Sequence, residues 1–166
     1  MRKTNLLLIA LACTFALFSC NEDENPCQDE TLNAFRLIAQ DEDGENIYSE
    51  DAEWDADLVT ITYIDEEGEV VSVDFEAKEY TSGDIYFESQ KMSELSLDGT
   101  IEYLISFNEE LSYVVSYVVE RNTDGDCISY AYEATDEDGE NLGITSGLNP
   151  GAYVLVLPTP GEGEED

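Results

Sequence analysis

The chain has 166 residues, 40 of them Asp or Glu against six Lys or Arg, with no His and a formal charge of −34 at pH 7. A field of that sign excludes nucleic acid and anionic lipid surfaces as partners and leaves cations, cationic peptides and neutral ligands. The missing imidazole removes Ser-His-Asp and Cys-His catalysis and the usual zinc site.

In chain order, Met1-Arg2-Lys3 gives a short positive start, and residues 6–18 form an apolar run interrupted only by Thr14. A spanning helix needs about 20 apolar residues, so this run is too short to cross a bilayer and has the flanks of a signal peptide. It ends in Leu17-Phe18-Ser19-Cys20. That tetrad resembles the lipobox of bacterial lipoproteins, which implies cleavage before Cys20 and lipid on its sulfur. The acidic stretch 21–25 (NEDEN) resembles the export tag of surface-exposed lipoproteins of the Bacteroidota. The resemblance covers about the first 25 residues. It implies a small lipoprotein held at the outer membrane through its lipid and displayed at the cell surface.

On that reading, residues 1–19 are removed, 20–30 are a lipidated tether, 31–158 are one domain and 159–166 an acidic tail. The mature chain keeps four basic residues (Arg36, Lys78, Lys91, Arg121) and all 40 acids. Cys13 leaves with the signal and Cys20 carries lipid, so Cys27 and Cys127 remain. In an exported protein that even remainder implies a disulfide, closing a loop of about 100 residues that the chain-entropy model values at about 4–5 kcal/mol.

Val, Ile, Leu, Tyr and Phe are grouped in short runs, and acids fill the gaps, which marks a folded domain with acidic loops. Residues 34–39 (AFRLIA) predict a first strand. Residues 47–57 predict either one helical turn or an irregular loop that buries Trp54. Residues 58–64 (LVTITYI) and 70–78 predict a hairpin; in the second run Val71, Val73, Phe75 and Ala77 alternate with Ser72, Asp74, Glu76 and Lys78, the pattern of a half-buried antiparallel strand. Residues 84–89 predict a short strand, with 92–97 continuing it or forming a crossing.

Further on, 101–107 alternates, and 112–121 (SYVVSYVVER) is apolar on both faces, so it predicts a central strand covered on both sides. Residues 127–134 and 153–157 complete the set. Seven or eight strands with turn signals every ten to fifteen residues, and no sustained 3.6-residue apolar period, predict an all-β antiparallel β-sandwich, immunoglobulin-like or transthyretin-like; a small lipocalin-like barrel is the alternative.

The hexamer DEDGEN occurs twice, at 41–46 and 136–141. Asp41, Asp43, Asn46, Asp136, Asp138 and Asn141 are therefore candidate ligands for Ca²⁺, which takes six to eight oxygens. The EF-hand register fails, because Asp41 and Asp43 stand only three and one before Gly44. The competing reading is hairpin turns, with Asp-Gly supplying the geometry. Forty carboxylates make any acid pair uninformative for glycoside hydrolysis. Tyr103, Tyr113, Tyr117, Tyr130 and Tyr132 are read as cross-strand packing, or alternatively as a row that stacks on sugar or peptide. The function read from the chain is a lipid-anchored, non-catalytic envelope module for an unidentified protein or glycan. The rivals are a calcium-stabilised adhesion module and a carboxylate-based glycan hydrolase.

Overall fold

The computed structural model describes residues 29–48, 54–124, 127–145 and 151–158. Among them are ten strands: β1 Phe35–Gln40, β2 Thr60–Ile64, β3 Val70–Ser72, β4 Glu76–Glu79, β5 Ile85–Ser89, β6 Glu102–Ser106, β7 Ser112–Asp124, β8 Cys127–Thr135, β9 Gly143–Ile144 and β10 Tyr153–Val156. One α-helix, α1 (Gln90–Leu97), joins β5 to β6. The strands form two five-stranded sheets: sheet A in the order β4-β5-β1-β10-β9 and sheet B in the order β3-β2-β6-β7-β8. The two pack face to face, so the fold is a β-sandwich and not a closed barrel.

Period-two alternation supplies the core between them. Leu37, Phe87 and Leu155 from sheet A meet Ile61, Tyr103, Ile105, Val115 and Tyr117 from sheet B, each at most 4% exposed. The tyrosines of sheet B point inward, which is the packing reading of their role. Phe35, Tyr117 and Tyr153 form a three-ring cluster with centroids 4.7–6.0 Å apart. On the other side of the core Tyr48 meets Phe87 at 5.2 Å and Trp54 at 6.0 Å.

Four expectations need correcting. The sandwich is not purely antiparallel, because β1 runs parallel to β10, with Leu37 opposite Tyr153 and Gln40 opposite Val156. The strand covered on both sides is β1, not β7: Leu37, Ile38 and Ala39 are buried in succession, whereas Val114 and Val118 of β7 are only half-buried on its outer face.

The run 70–78 is not one strand of one sheet. Its first part pairs with β2, and Val73 N–H still donates to Ile61 C=O (2.8 Å). Its last part pairs with β5, Glu76 opposite Glu88. The chain crosses between sheets at 73–75, burying Val73, and one margin of the sandwich is bridged by this strand.

Finally, 90–97 is helix. Ser89 caps it, its hydroxyl accepting from Met92 N–H (3.0 Å) and donating to Asp74 C=O (2.7 Å), which also fixes the crossing. The buried face is Met92, Ser93 and Ser96, two of them polar, so hydropathy gave no helical period.

Those serines complete sheet B. The β6–β7 ladder ends where Tyr117 N–H donates to Ile101 C=O (2.8 Å). Beyond it, the Ser96 hydroxyl donates to Tyr117 C=O (2.7 Å) and accepts from Val119 N–H (3.0 Å), doing for β7 what a further strand residue would do. Ser93 Oγ lies 3.2 Å from the Tyr117 hydroxyl, and the Tyr103 hydroxyl donates to Met92 C=O and Thr100 C=O (both 3.1 Å). Ser96→Ala leaves a buried backbone donor and acceptor without this partner and is expected to cost about 1–3 kcal/mol, measured as a shift in urea midpoint with unchanged slope.

Candidate functional site

The acidic loops come first, because the sequence singles them out. Asp41 N–H donates to Glu45 C=O (3.0 Å) and Gly44 N–H to Asp41 C=O (3.1 Å); Asp65–Glu69 and Asp136–Glu140 repeat both bonds within 0.1 Å. In each loop one oxygen of the first Asp accepts two backbone N–H groups. For Asp41 these come from Asp43 and Glu45 (3.0 and 2.9 Å), for Asp65 from Glu67 and Glu69 (2.9 and 2.8 Å), and for Asp136 from Asp138 and Glu140 (3.0 and 2.8 Å). The Gly takes φ +85°, +83° and +79° in the three, a conformation L side chains avoid. This is a hairpin turn with a glycine bulge, and the Asp-x-x-Gly-Glu pattern is the chemistry it requires.

Of the six candidate ligands, Asp41 and Asp136 hold their turns by one carboxylate oxygen each. Asp43 and Asp138 supply backbone donors. Asn46 forms a bridge to Gln40, its amide donating to Ile85 C=O (2.8 Å) and accepting from Tyr48 N–H (2.7 Å). Asn141 forms the matching bridge to Thr135. No group of three or more His, Cys, Asp or Glu is arranged to hold a metal among the described residues. Cys20 and Cys27 lie outside the described residues; Cys127 opens β8.

Two of the six basic residues, Arg36 and Lys78, converge on the outer face of sheet A. Glu88 Oε2 accepts from Arg36 Nε at 2.6 Å, and its other oxygen accepts from Lys78 Nζ, which also lies 3.1 Å from Glu76. The Arg36 guanidinium lies 5.8 Å from the centre of the Tyr86 ring, and Tyr80 stacks on that ring at 4.1 Å. The hydrogen bond from Lys78, then that from Arg36, holds the Glu88 carboxyl below the usual range against the opposing effect of its burial. The same bonds raise Lys78 and Arg36. The cations and rings here serve one another, tying β4, β5 and β1 side by side.

The cleft lies at the opposite margin. After the 136–140 turn the chain returns along β8, Leu142 N–H donating to Ala134 C=O (2.9 Å). It then leaves sheet B for sheet A, with Ile144 opposite Tyr153 and Gly143 opposite Val154. Where β8 and β9 part, a cleft of about 420 Å³ opens. Tyr132, Leu142 and Tyr153 line it together with the exposed Glu120, Glu133 and Ile144, and its lining holds no basic side chain. Tyr153 is 8% exposed. Burial, then Glu133 and Tyr132, pushes its hydroxyl above the ordinary tyrosine value, so it stays protonated as a donor.

The free edge of β8 is only partly covered. Glu30 N–H donates to Ile128 C=O (2.9 Å), Ile128 N–H to an Asp29 oxygen (2.9 Å) and Tyr130 N–H to a Glu30 oxygen (3.2 Å). Asn33 N–H donates to the Tyr132 hydroxyl (2.9 Å). Residues 29–33 thus strap one end of the edge and Leu142 covers the other. Between them the backbone N–H and C=O of Tyr132 have no partner among the described residues. Nothing in the sequence marks this cleft, because it arises where two paired strands separate.

No family model, curated protein or solved structure matches the chain. Among the described residues no helix is long and apolar enough to cross a membrane.

Two outcomes follow for the loops and the ion-pair cluster. Asp41→Ala, Asp65→Ala and Asp136→Ala each remove a carboxylate cap and are expected to cost about 0.5–2 kcal/mol, additive because the turns are separate. The loss, read by chemical denaturation, should be the same in chelator and in millimolar Ca²⁺. For Glu88, a folded value below the unfolded one gives stability that is present above about pH 4.3 and lost as pH falls through the folded value. The difference in melting temperature between the wild type and Glu88→Gln should therefore be constant from neutral pH to about pH 5 and close on further acidification.

Proposed function

We propose that the chain is a lipid-anchored envelope module that binds a ligand without transforming it, with the cleft between β8 and β9 as its seat. The cleft carries this reading. Its volume of about 420 Å³ lies in the range of ligand sites, and it combines apolar and aromatic walls with a few converging polar groups, Tyr153, Glu120, Glu133 and Asn141. Binding without catalysis is supported by the absence of histidine, which removes the imidazole-based acid–base and nucleophile arrangements.

Anchoring is supported by the run 6–18 and the tetrad ending in Cys20. The Cys27–Cys127 bridge is supported by the strap. Glu30 pairs with Ile128, the residue after Cys127, and the three residues of sequence between Glu30 and Cys27 amount to about 10 Å of extended chain. A bridge there would join the tether to the start of β8 and fix the strap on its edge.

Intact mass of the membrane-extracted protein, before and after reduction and alkylation, tests both features. The expected product lacks residues 1–19, carries an acyl increment on Cys20, and takes up alkyl groups at two cysteines only after reduction. An unacylated, water-soluble product overturns the anchor; alkylation of both thiols before reduction overturns the bridge.

A further inference from the structure

We propose that the cleft takes an extended peptide segment bearing lysine or arginine, added to β8 as a short extra strand; this deepens the binding-module reading and rests on it. Unpaired strand edges recruit other chains, and folded proteins ordinarily cover them. Here the covering is built from two devices, the 29–33 strap over Ile128 and Tyr130 and the return of Leu142 onto Ala134. The strap reaches the Tyr132 hydroxyl through Asn33 N–H, but among the described residues neither device pairs the Tyr132 backbone.

The uncovered stretch coincides with the cleft, whose lining includes Tyr132 itself. Backbone groups of the even-numbered residues of β8 face away from β7, as the bonds at Ile128, Tyr130 and Ala134 show. Tyr132 N–H and C=O are therefore the pair an incoming strand would meet. Main-chain pairing gives such recognition its affinity, and side-chain pockets give it selectivity.

The side chains at hand choose the partner. On the outer face of sheet B, Glu133 stands opposite Val118 and Ala131 opposite Glu120, so two carboxylates flank the small residue Ala131. An extended segment laid against β8 turns alternate side chains to that face. A lysine or arginine there meets Glu133 or Glu120, and its hydrocarbon stem lies on Ala131 and Val118. The opposite side chains turn toward Leu142 and the rings of Tyr132 and Tyr153, where apolar groups fit. An acidic segment is repelled by both carboxylates and by the net charge of the protein.

The test uses the full-length chain in mild detergent at 0.15 M NaCl and a capped Lys-Val-Lys-Val-Lys peptide, read by calorimetry. Because any basic peptide is attracted to so acidic a protein, the comparison is between sites. Glu120→Gln and Glu133→Gln should each weaken binding about five- to tenfold, while Glu67→Gln in the exposed 65–69 turn leaves it unchanged. Singly N-methylated peptides, which lose one backbone donor and keep every charge, should bind markedly less at one or more positions.

Equal binding of all the N-methylated peptides, or full competition by spermidine at the same concentration, means the protein reads charge alone and overturns strand addition. Equal weakening by Glu67→Gln, or no effect of the two cleft variants, removes the site from the cleft. Absence of any peptide binding overturns this inference while leaving the anchored-module reading to the mass measurement.

Discussion

A chain with forty carboxylates folds only if burial of its apolar side chains outweighs the repulsion that compaction adds, and that balance dictates where every acid can stand. Strand interiors go to Leu, Ile, Val, Phe and Tyr, and none of the buried residues described is charged. The acids are driven to turns and outer faces, where water screens them over about 8 Å at physiological salt. The turns then make use of them. In three loops the first Asp accepts two backbone N–H groups that would otherwise be unpaired. Those bonds hold each turn closed, so local geometry offsets part of the repulsion that the composition creates.

The same constraint explains why so few basic residues matter so much. With repulsion everywhere, Glu88 on the outer face of sheet A is tolerable because Arg36 and Lys78 reach it from neighbouring strands. β4 and β5 are already joined by the tight turn at 80–84, whereas β1 is far from both in sequence, so the bond from Arg36 to Glu88 ties β1 into a pairing that no turn sets. Helix α1 performs the corresponding service for sheet B. Its buried Ser96 answers the backbone of β7 where β6 ends, Ser93 meets the Tyr117 hydroxyl, and its capping Ser89 holds the strand that crosses from one sheet to the other.

How much of this was legible in the sequence depends on what kind of signal each feature leaves. Alternation marks β2 and β3, and also β6 and β8, because one buried and one wet face give period two. It cannot report partner direction, so the parallel pairing of β1 with β10 left no trace. Nor can it show that Val73 and Phe75 continue an alternating run while the chain changes sheets, since Val71, Val73, Phe75 and Ala77 keep one period across the crossing. The helix was hidden for a chemical reason: its inward face is Ser93 and Ser96, chosen to hydrogen-bond a strand rather than to be apolar. The DEDGEN loops were conspicuous, and their spacing specified a turn more sharply than any ligand set. The cleft was invisible because it is made by two strands parting, a property of no single segment.

The strap at 29–33 links the two ends of the functional reading. It is the first described segment of the chain, and it lies along the same strand edge that borders the cleft, with Asn33 bonded to the Tyr132 hydroxyl. Among the described residues, the hydrogen bonds of Asp29, Glu30 and Asn33 and the packing of Leu32 on the core hold the strap, and a Cys27–Cys127 bridge would pin it beside the start of β8. Loss of the strap would uncover Ile128 and Tyr130 as well as Tyr132, turning a short selective gap into a long open edge of the kind that pairs with any chain. The bridge would thus serve selectivity at the cleft as much as stability of the fold.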